Sequence, residues 1–104
     1  MSEAGLNELR LTARIAELLP LRRTPAGVPV ASCLLVHESK QHEAGLDRDV
    51  SLELQAVAVG DLAAVLTSSS PGVSVSVTGF LAAKSLRSRA PVLHLIKIEF
   101  VEGN

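Results

Sequence analysis

The sequence predicts an all-β protein folded as a five-stranded OB-fold barrel, with a short helical segment between strands three and four. Five segments carry the alternating or continuous apolar patterns of strands, and no strand–helix–strand repeat occurs among them. The 104 residues, 47% of them apolar, suffice for one domain with a real core. An SH3-like barrel and a small sandwich stay open as alternatives, because periodicity alone does not separate these plans.

The first two strands are separated by a proline-rich loop. Strand one covers residues 8–16, and its apolar positions fall on one side: Leu9, Leu11, Ala13 and Ile15. Residues 20–29 contain three prolines and Gly27, which predicts a loop. The apolar run 30–37 predicts strand two, and the polar segment 38–49 with Gly45 predicts a long loop.

The third strand, residues 50–59, alternates so that Ser51 points outward and Leu52 points into the core. Asp61 then stands where it would cap one or two helical turns over residues 62–66. A Ser-rich turn follows.

The fourth strand covers residues 73–82, and Gly79 inside it predicts a bulge or a sharp bend. The fifth strand covers residues 92–101. Strict alternation would place five residues on one face of that strand: Val92, His94, Ile96, Ile98 and Phe100.

The expected domain organisation is a flexible N-terminus, residues 1–6, followed by the barrel domain, residues 7–102. The first seven residues do not resemble a signal peptide, and no apolar run is long enough to span a bilayer. Cys33 is the sole cysteine, so no intramolecular disulfide can form. We therefore expect a cytoplasmic protein without membrane association.

Charge is balanced over the chain but unevenly distributed. The net charge of −1 does not by itself indicate a nucleic-acid partner. However, residues 18–37 contain no acid and carry Arg22 and Arg23, and residues 62–98 contain no acid and carry a second basic cluster. In an OB plan, the two loops concerned flank one binding face. Either loop alone is better explained as an ordinary solvated surface, but the two loops together on one face of the barrel predict a track for a phosphate backbone.

No catalytic or metal-binding motif is recognisable. The spacing of Cys33, His37 and His42 lacks the paired pattern of zinc sites, and His94 falls in an apolar strand where a core or interface histidine is more common. A Gly-rich phosphate loop, a nucleophile elbow and paired carboxylates are also missing. We expect no enzyme, no cofactor and no metal.

Several segments resemble the primosomal replication protein N (PriB) family, which belongs to the OB-fold single-stranded DNA-binding proteins. The specific parts are the Thr-Pro-Ala-Gly-Val-Pro turn, residues 24–29, and the His-Glu-Ser and Glu-Ala-Gly segments within residues 37–45. Gly-Phe-Leu at 79–81, the basic loop after it and Val-Leu-His at 92–94 also match. The resemblance covers residues 7–102.

The resemblance implies a non-catalytic homodimer of the replication-restart primosome that binds single-stranded DNA, a primosomal helicase and helicase-loading primosome proteins. Combined with the basic loops, it yields these candidate DNA-binding residues: Arg22, Arg23, Lys40, Arg48, Ser51, Lys84, Arg87 and Arg89. Outward apolar residues are candidates for the dimer interface: Ala16, Val57, Val59, Phe80 and Ala82.

One departure from the family bears on affinity. Members can carry an aromatic residue on the third strand where this chain has Ser51, and Leu46 stands in the second loop. Because base stacking on an aromatic ring contributes about 1–3 kcal/mol per base, we expect weaker DNA binding dominated by phosphate contacts. A protein-interaction adaptor with only weak DNA binding is the alternative function. A general strand-coating protein is disfavoured: such proteins usually add a long disordered tail that ends in acidic and aromatic residues, and we expect no such tail after residues 102–104.

Overall fold

The computed structural model describes residues 5–101, so the predicted flexible N-terminus lies outside it over residues 1–4, as does Glu102 at the other end. The described chain forms six strands and one helix: β1 (Leu9–Leu18), β2 (Arg22–Arg23), β3 (Pro29–Glu43), β4 (Leu46–Val59), α1 (Asp61–Thr67), β5 (Ser74–Ala83) and β6 (Pro91–Phe100). Asn7 fastens the start of the chain to β5. Its side-chain amide donates to the Leu81 carbonyl at 2.7 Å and accepts from the Leu81 N–H at 2.9 Å.

The five long strands close into a barrel. Their order is β1-β5-β6-β4-β3, and β1 pairs with β3 to complete the circle, while the short β2 extends the sheet beside β3. The β4–β6 pair is parallel and the other pairs are antiparallel. The predicted five-stranded OB-fold barrel is therefore confirmed.

Strand β1 closes the barrel because it pairs with two different neighbours. Its first part, from Leu9 to Arg14, lies along β5, and its second part, from Arg14 to Leu18, lies along β3. Ala16 is an extra residue in the ladder between β1 and β3. A bulge of this kind bends the strand and increases its twist, which carries β1 from one partner to the other.

The core is built from small and medium aliphatic side chains supplied by alternate strand positions and by α1. Its buried members are Ile15, Ala31, Cys33, Leu35, Ala56, Ala58, Ala63, Leu66, Val75, Val77, Leu93 and Leu95. Leu52 is not among them: it is 39% exposed, so its predicted core position is wrong. The reason is that this part of β4 extends beyond the closed section of the barrel.

Helix α1 covers one end of the core with Ala63 and Leu66. The helix follows Gly60, whose φ of 82° suits a residue without a side chain. Asp61 is the first helical residue and forms no capping hydrogen bond, so the predicted Asp61 cap is wrong. Within residues 5–101, no helix is long and apolar enough to cross a membrane.

The segment predicted as a long loop, residues 38–49, is instead a two-stranded hairpin arm. Strands β3 and β4 stay paired up to Glu43 and Leu46, and only Ala44 and Gly45 form the turn. Both turn residues have positive φ, 53° and 80°, as tight hairpin turns of type I′ require. The loop prediction failed because the arm is solvated and lacks the apolar alternation that identifies a half-buried strand.

Gly79 marks the predicted bulge, which the structure places on the facing strand. Thr78 pairs with Lys97 and Gly79 pairs with Leu95, so Ile96 is the extra residue. This bulge shifts the alternation along β6: Leu93 and Leu95 face the core, and Ile96 is exposed. The predicted apolar face of strand five, containing His94 and Ile96, is therefore wrong at these positions.

Gly79 also permits a close approach of two backbones, which generates a first prediction. A Cβ atom at this position would overlap the carbonyl oxygen of His94. Because both groups belong to paired backbones, neither can move aside cheaply. Gly79→Ala should lower the free energy of unfolding by about 1–3 kcal/mol and the melting temperature by roughly 4–8 °C per kcal/mol, as measured by thermal denaturation.

Gly45→Asn provides the matched control. Gly45 lies in the exposed hairpin turn, where an added side chain would contact no other atom. Asparagine also tolerates the positive φ of this position. An equal loss of stability in both variants would contradict the close-approach explanation.

Candidate nucleic-acid interface

A groove of about 480 Å³ crosses the outer face of the barrel, between the loop that joins β1 to β3 and the loop that joins β5 to β6. Outward side chains of β3, β4 and β6 form its floor, which is mostly apolar: Leu34, Val57, Val59 and Val92. Gln55 and His94 add polar groups to the same surface. The groove thus combines apolar area with a few hydrogen-bonding groups.

Two of the predicted basic residues meet at this groove. Arg22, held on β2 by pairing with Val30, lines one side, and Lys84, at the start of the loop after β5, also lines it. Lys84 borders a second hollow of about 400 Å³, formed with Ser88 and Pro91. Glu17 is the acid in the groove lining, and Glu53 lies in the neighbouring hollow. Two separate loops therefore bring positive charge to one concave surface.

The other predicted cations of these loops lie beside the groove rather than in its lining. The Arg23 guanidinium donates to the Gly27 carbonyl at 3.0 Å, which stabilises its own turn. In the second loop, the Lys84 N–H donates to Ala90 at 2.9 Å, so the loop is compact. Arg87 and Arg89 are exposed on it, and Arg89 makes one long contact, 3.4 Å, to the Ser85 carbonyl.

The remaining candidates lie on the hairpin arm. Strand alternation places Lys40 and Ser51 on the same face as the groove and Arg48 on the opposite face. Lys40 forms an ion pair with Asp49 at 2.7 Å, and Arg48 forms one with Glu43 at 2.8 Å. Both pairs are well exposed, and such pairs contribute little to stability. Ser51 is exposed opposite Glu38.

Comparison with known proteins shows the family to which the chain belongs. A family model described as another single-strand binding protein family matches residues 7–97. The replication restart protein PriB of Bordetella pertussis is 43% identical over 99 residues, which cover 95% of this chain and 92% of that protein. The chain belongs to the PriB family.

Solved structures agree with the PriB assignment. The structure of PriB from Ralstonia solanacearum has a TM-score of 0.87 and 36% identity, covering 94% of this chain and all of that one. The single-stranded DNA-binding protein of Thermus aquaticus has a TM-score of 0.77 at 22% identity, covering 95% of this chain and 52% of that one. At this low identity, the second likeness concerns the fold alone.

The histidines of this PriB-family chain occupy separate positions. His37 is buried in the middle of β3, not at a strand end, and its Nδ1–H donates to the Thr12 carbonyl at 2.6 Å. The His42 Nδ1 lies within hydrogen-bond distance, 2.9 Å, of an Asp47 carboxylate oxygen on the hairpin arm. His94 stacks on Phe80. Among residues 5–101, no group of three or more His, Cys, Asp or Glu side chains is arranged to hold a metal ion.

Gln55 and His94 are among the groove residues that sequence reasoning missed. Gln55 is an ordinary polar position of an alternating strand, and nothing in the local pattern distinguishes it. His94 was assigned to the wrong face because the bulge at Ile96 is invisible in the alternation. The Gly-Phe pair at residues 79–80 was the available signal, since a glycine inside a strand indicates close approach by its neighbour.

Cys33 lies beneath the groove and generates a second prediction. Burial raises the pKa of the Cys33 thiol from 9.0 to about 11. Since the thiolate is the reactive form, iodoacetamide at pH 8 should modify the folded protein about 100-fold more slowly than the unfolded protein. The same shift favours the protonated folded state, so this part of stability is complete below pH 9 and is lost as pH rises towards 11.

Two measurements check this prediction. Mass spectrometry follows alkylation with and without denaturant, and Cys33 is the sole cysteine that can respond. Denaturant titrations of the parent and Cys33→Ala between pH 8 and pH 10.5 should show a steeper alkaline loss for the parent. Equal labelling rates in the folded and unfolded states would refute the buried thiol.

Proposed function

We propose that this chain binds single-stranded DNA in the groove and acts as a non-catalytic accessory protein of replication restart in the cytoplasm. The observation that carries the proposal is that Arg22 and Lys84, from two loops far apart in sequence, line one groove with an apolar floor. Cations of this kind attract phosphates, while apolar surface accepts bases. Membership of the PriB family supports the biological setting.

The basic loops supply most of the expected electrostatic attraction. Arg23, Arg87 and Arg89 lie close enough in sequence to Arg22 and Lys84 to extend a phosphate track along both rims of the groove. Lys40 and Ser51 would continue it on the same face of the hairpin arm. Arg48, on the opposite face, contributes only if the DNA wraps around the arm.

We also propose that the protein links single-stranded DNA to a primosomal helicase and to helicase-loading proteins. This part rests on family membership alone. A protein-interaction adaptor with only weak DNA binding is the competing form of the same proposal. The two forms differ in how strongly salt affects DNA binding, because phosphate contacts release counterions.

Removal of the second basic loop tests the DNA proposal. Lys84→Ala, Arg87→Ala and Arg89→Ala combined should weaken binding to all oligonucleotide sequences alike. The slope of log affinity against log salt should fall by about 2, since each lost phosphate contact contributes about 0.7 on single strands. Fluorescence anisotropy with labelled oligonucleotides at several salt concentrations measures both quantities.

Lys97→Ala is the control for loss of a cation outside the groove, and it should keep the parent's affinity and salt slope. Lys97 is exposed on β6, where its ammonium lies 3.5 Å from Glu99, and it does not line the groove. If the triple variant keeps the parent's affinity and salt slope, this loop is not the DNA site. A parent that binds weakly with little salt dependence would favour the adaptor.

We further propose that two copies form a homodimer through the edge of β1. The N–H and carbonyl of Ile15 form hydrogen bonds with Val73 and Gly72, which lead into β5. The Thr12 carbonyl points the other way, away from β5, and accepts a hydrogen bond from His37. Because the backbone groups of every second residue in a strand point to the same side, the N–H and carbonyl of Arg10 also point away from β5. Within residues 5–101, no strand pairs with residues 9–13 on that side. A free edge of this kind is a template for pairing with another chain.

The free edge of β1 is a better dimer interface than the outward apolar residues that the sequence offered as candidates. Val57 and Val59 lie in the groove, so a dimer contact there would cover the proposed DNA site. Phe80 is already stacked on His94. Ala16 and Ala82 are half-buried. A twofold contact at β1 would be self-complementary, as a closed dimer requires, and would leave both grooves open.

Sedimentation equilibrium at micromolar concentration tests the dimer. The parent should have a mass of twice 10.9 kDa. Arg10→Pro should be monomeric, because proline removes an N–H that faces the free edge and leaves the bonds to β5 intact. Arg10→Ala keeps the N–H and should remain dimeric. A parent mass near 10.9 kDa would overturn the proposal.

A further inference from the structure

Phe80 and His94 form a parallel ring pair on the outside of the barrel. They are direct partners across β5 and β6, their ring centroids are 5.0 Å apart and their planes differ by 7°. Gly79 brings the two strands together at this point because it has no Cβ to meet the His94 carbonyl. The backbone therefore fixes the rings against each other.

The ring pair is continuous with the groove. Across the outer face, Ser32 pairs with Val57, Val57 with His94, and His94 with Phe80, so one row of side chains crosses β3, β4, β6 and β5. His94 lines the groove and Phe80 does not. The imidazole is thus the member of the pair next to the groove, with Phe80 behind it.

This arrangement suits a planar ligand that carries negative charge on both sides of its flat ring. A planar ring that is already held by a second ring loses little conformational freedom when another ring stacks on it. Arg22 and Lys84 line the same groove and supply positive charge for phosphates. A nucleobase is planar and is linked to phosphates on both sides, so a single strand matches the flat surface and the charges together.

We propose that the His94–Phe80 pair is the base-stacking platform of the groove, with His94 in contact with the base and Phe80 as the positioning residue behind it. This inference rests on the proposed function and makes it more specific. Single strands gain affinity from their bases at this point as well as from their phosphates. The stacked base lies beside Val57, on the strand that runs parallel to β6.

The test compares two ligands of equal phosphate number: a labelled oligothymidylate and an abasic oligonucleotide of the same length. The parent should bind oligothymidylate more tightly than the abasic strand. His94→Ala should lose about fivefold in affinity for oligothymidylate, the low end of the effect of one base stack. Its affinity for the abasic strand and its salt slope should not change, since no phosphate contact is removed. His94→Phe keeps a ring and should retain the parent's preference for bases.

A spectroscopic readout and a control complete the design. The fluorescence of 2-aminopurine placed in the oligonucleotide reports stacking, and its change on binding should be smaller with His94→Ala than with the parent. Ile96→Ala alters another exposed residue of the same strand and should behave like the parent. Thermal denaturation verifies that all variants are folded.

The possible outcomes separate the two proposals. A parent that binds neither ligand overturns the DNA-binding function and the platform together. A parent that binds both strands equally, or a His94→Ala variant with the parent's preference for bases, overturns the platform and leaves phosphate binding in place. Loss of both affinities to the same degree in a folded His94→Ala variant also contradicts stacking.

Discussion

The whole architecture depends on β1 pairing with β5 on one side of it and with β3 on the other. The bulge at Ala16 bends β1 so that its first part follows β5 and its second part follows β3. Without this bend, the sheet would remain open and the core would be exposed along one side. Closure also positions the loops: the chain leaves β1 beside β3, which places Arg22 near the strands that carry Leu34 and Val57.

Barrel closure and core composition are consistent with each other. Three alanines and Cys33 occupy buried positions on β3 and β4, so this part of the interior is filled by small side chains. Both phenylalanines lie outside this core: Phe80 is 38% exposed and Phe100 is 45% exposed. In a chain so poor in aromatic residues, a phenylalanine stacked on the outer surface is unlike ordinary core packing.

The fold could be predicted from sequence to a large extent because most strands have one buried face. In β1, β5 and the inner half of β4, every second residue meets the core, and the alternation of Leu, Val and Ala records it. The hairpin arm lacks this apolar alternation because both of its faces are exposed to solvent. Its pairing rests on backbone bonds and on contacts such as Lys40 with Asp49, which composition does not reveal.

The sequence by itself determined the number of long strands, the place of the helix, the basic loops and an irregular pairing at Gly79. These features depend on residue type and on spacing along a short stretch of chain. Only the tertiary structure decided that Ile96 is the extra residue, that His94 therefore turns outward onto Phe80, and that Arg22 and Lys84 meet at one groove. The physical reason is that pairing register and loop proximity are set by strands distant in sequence, and a shift of one residue moves every later side chain to the other face.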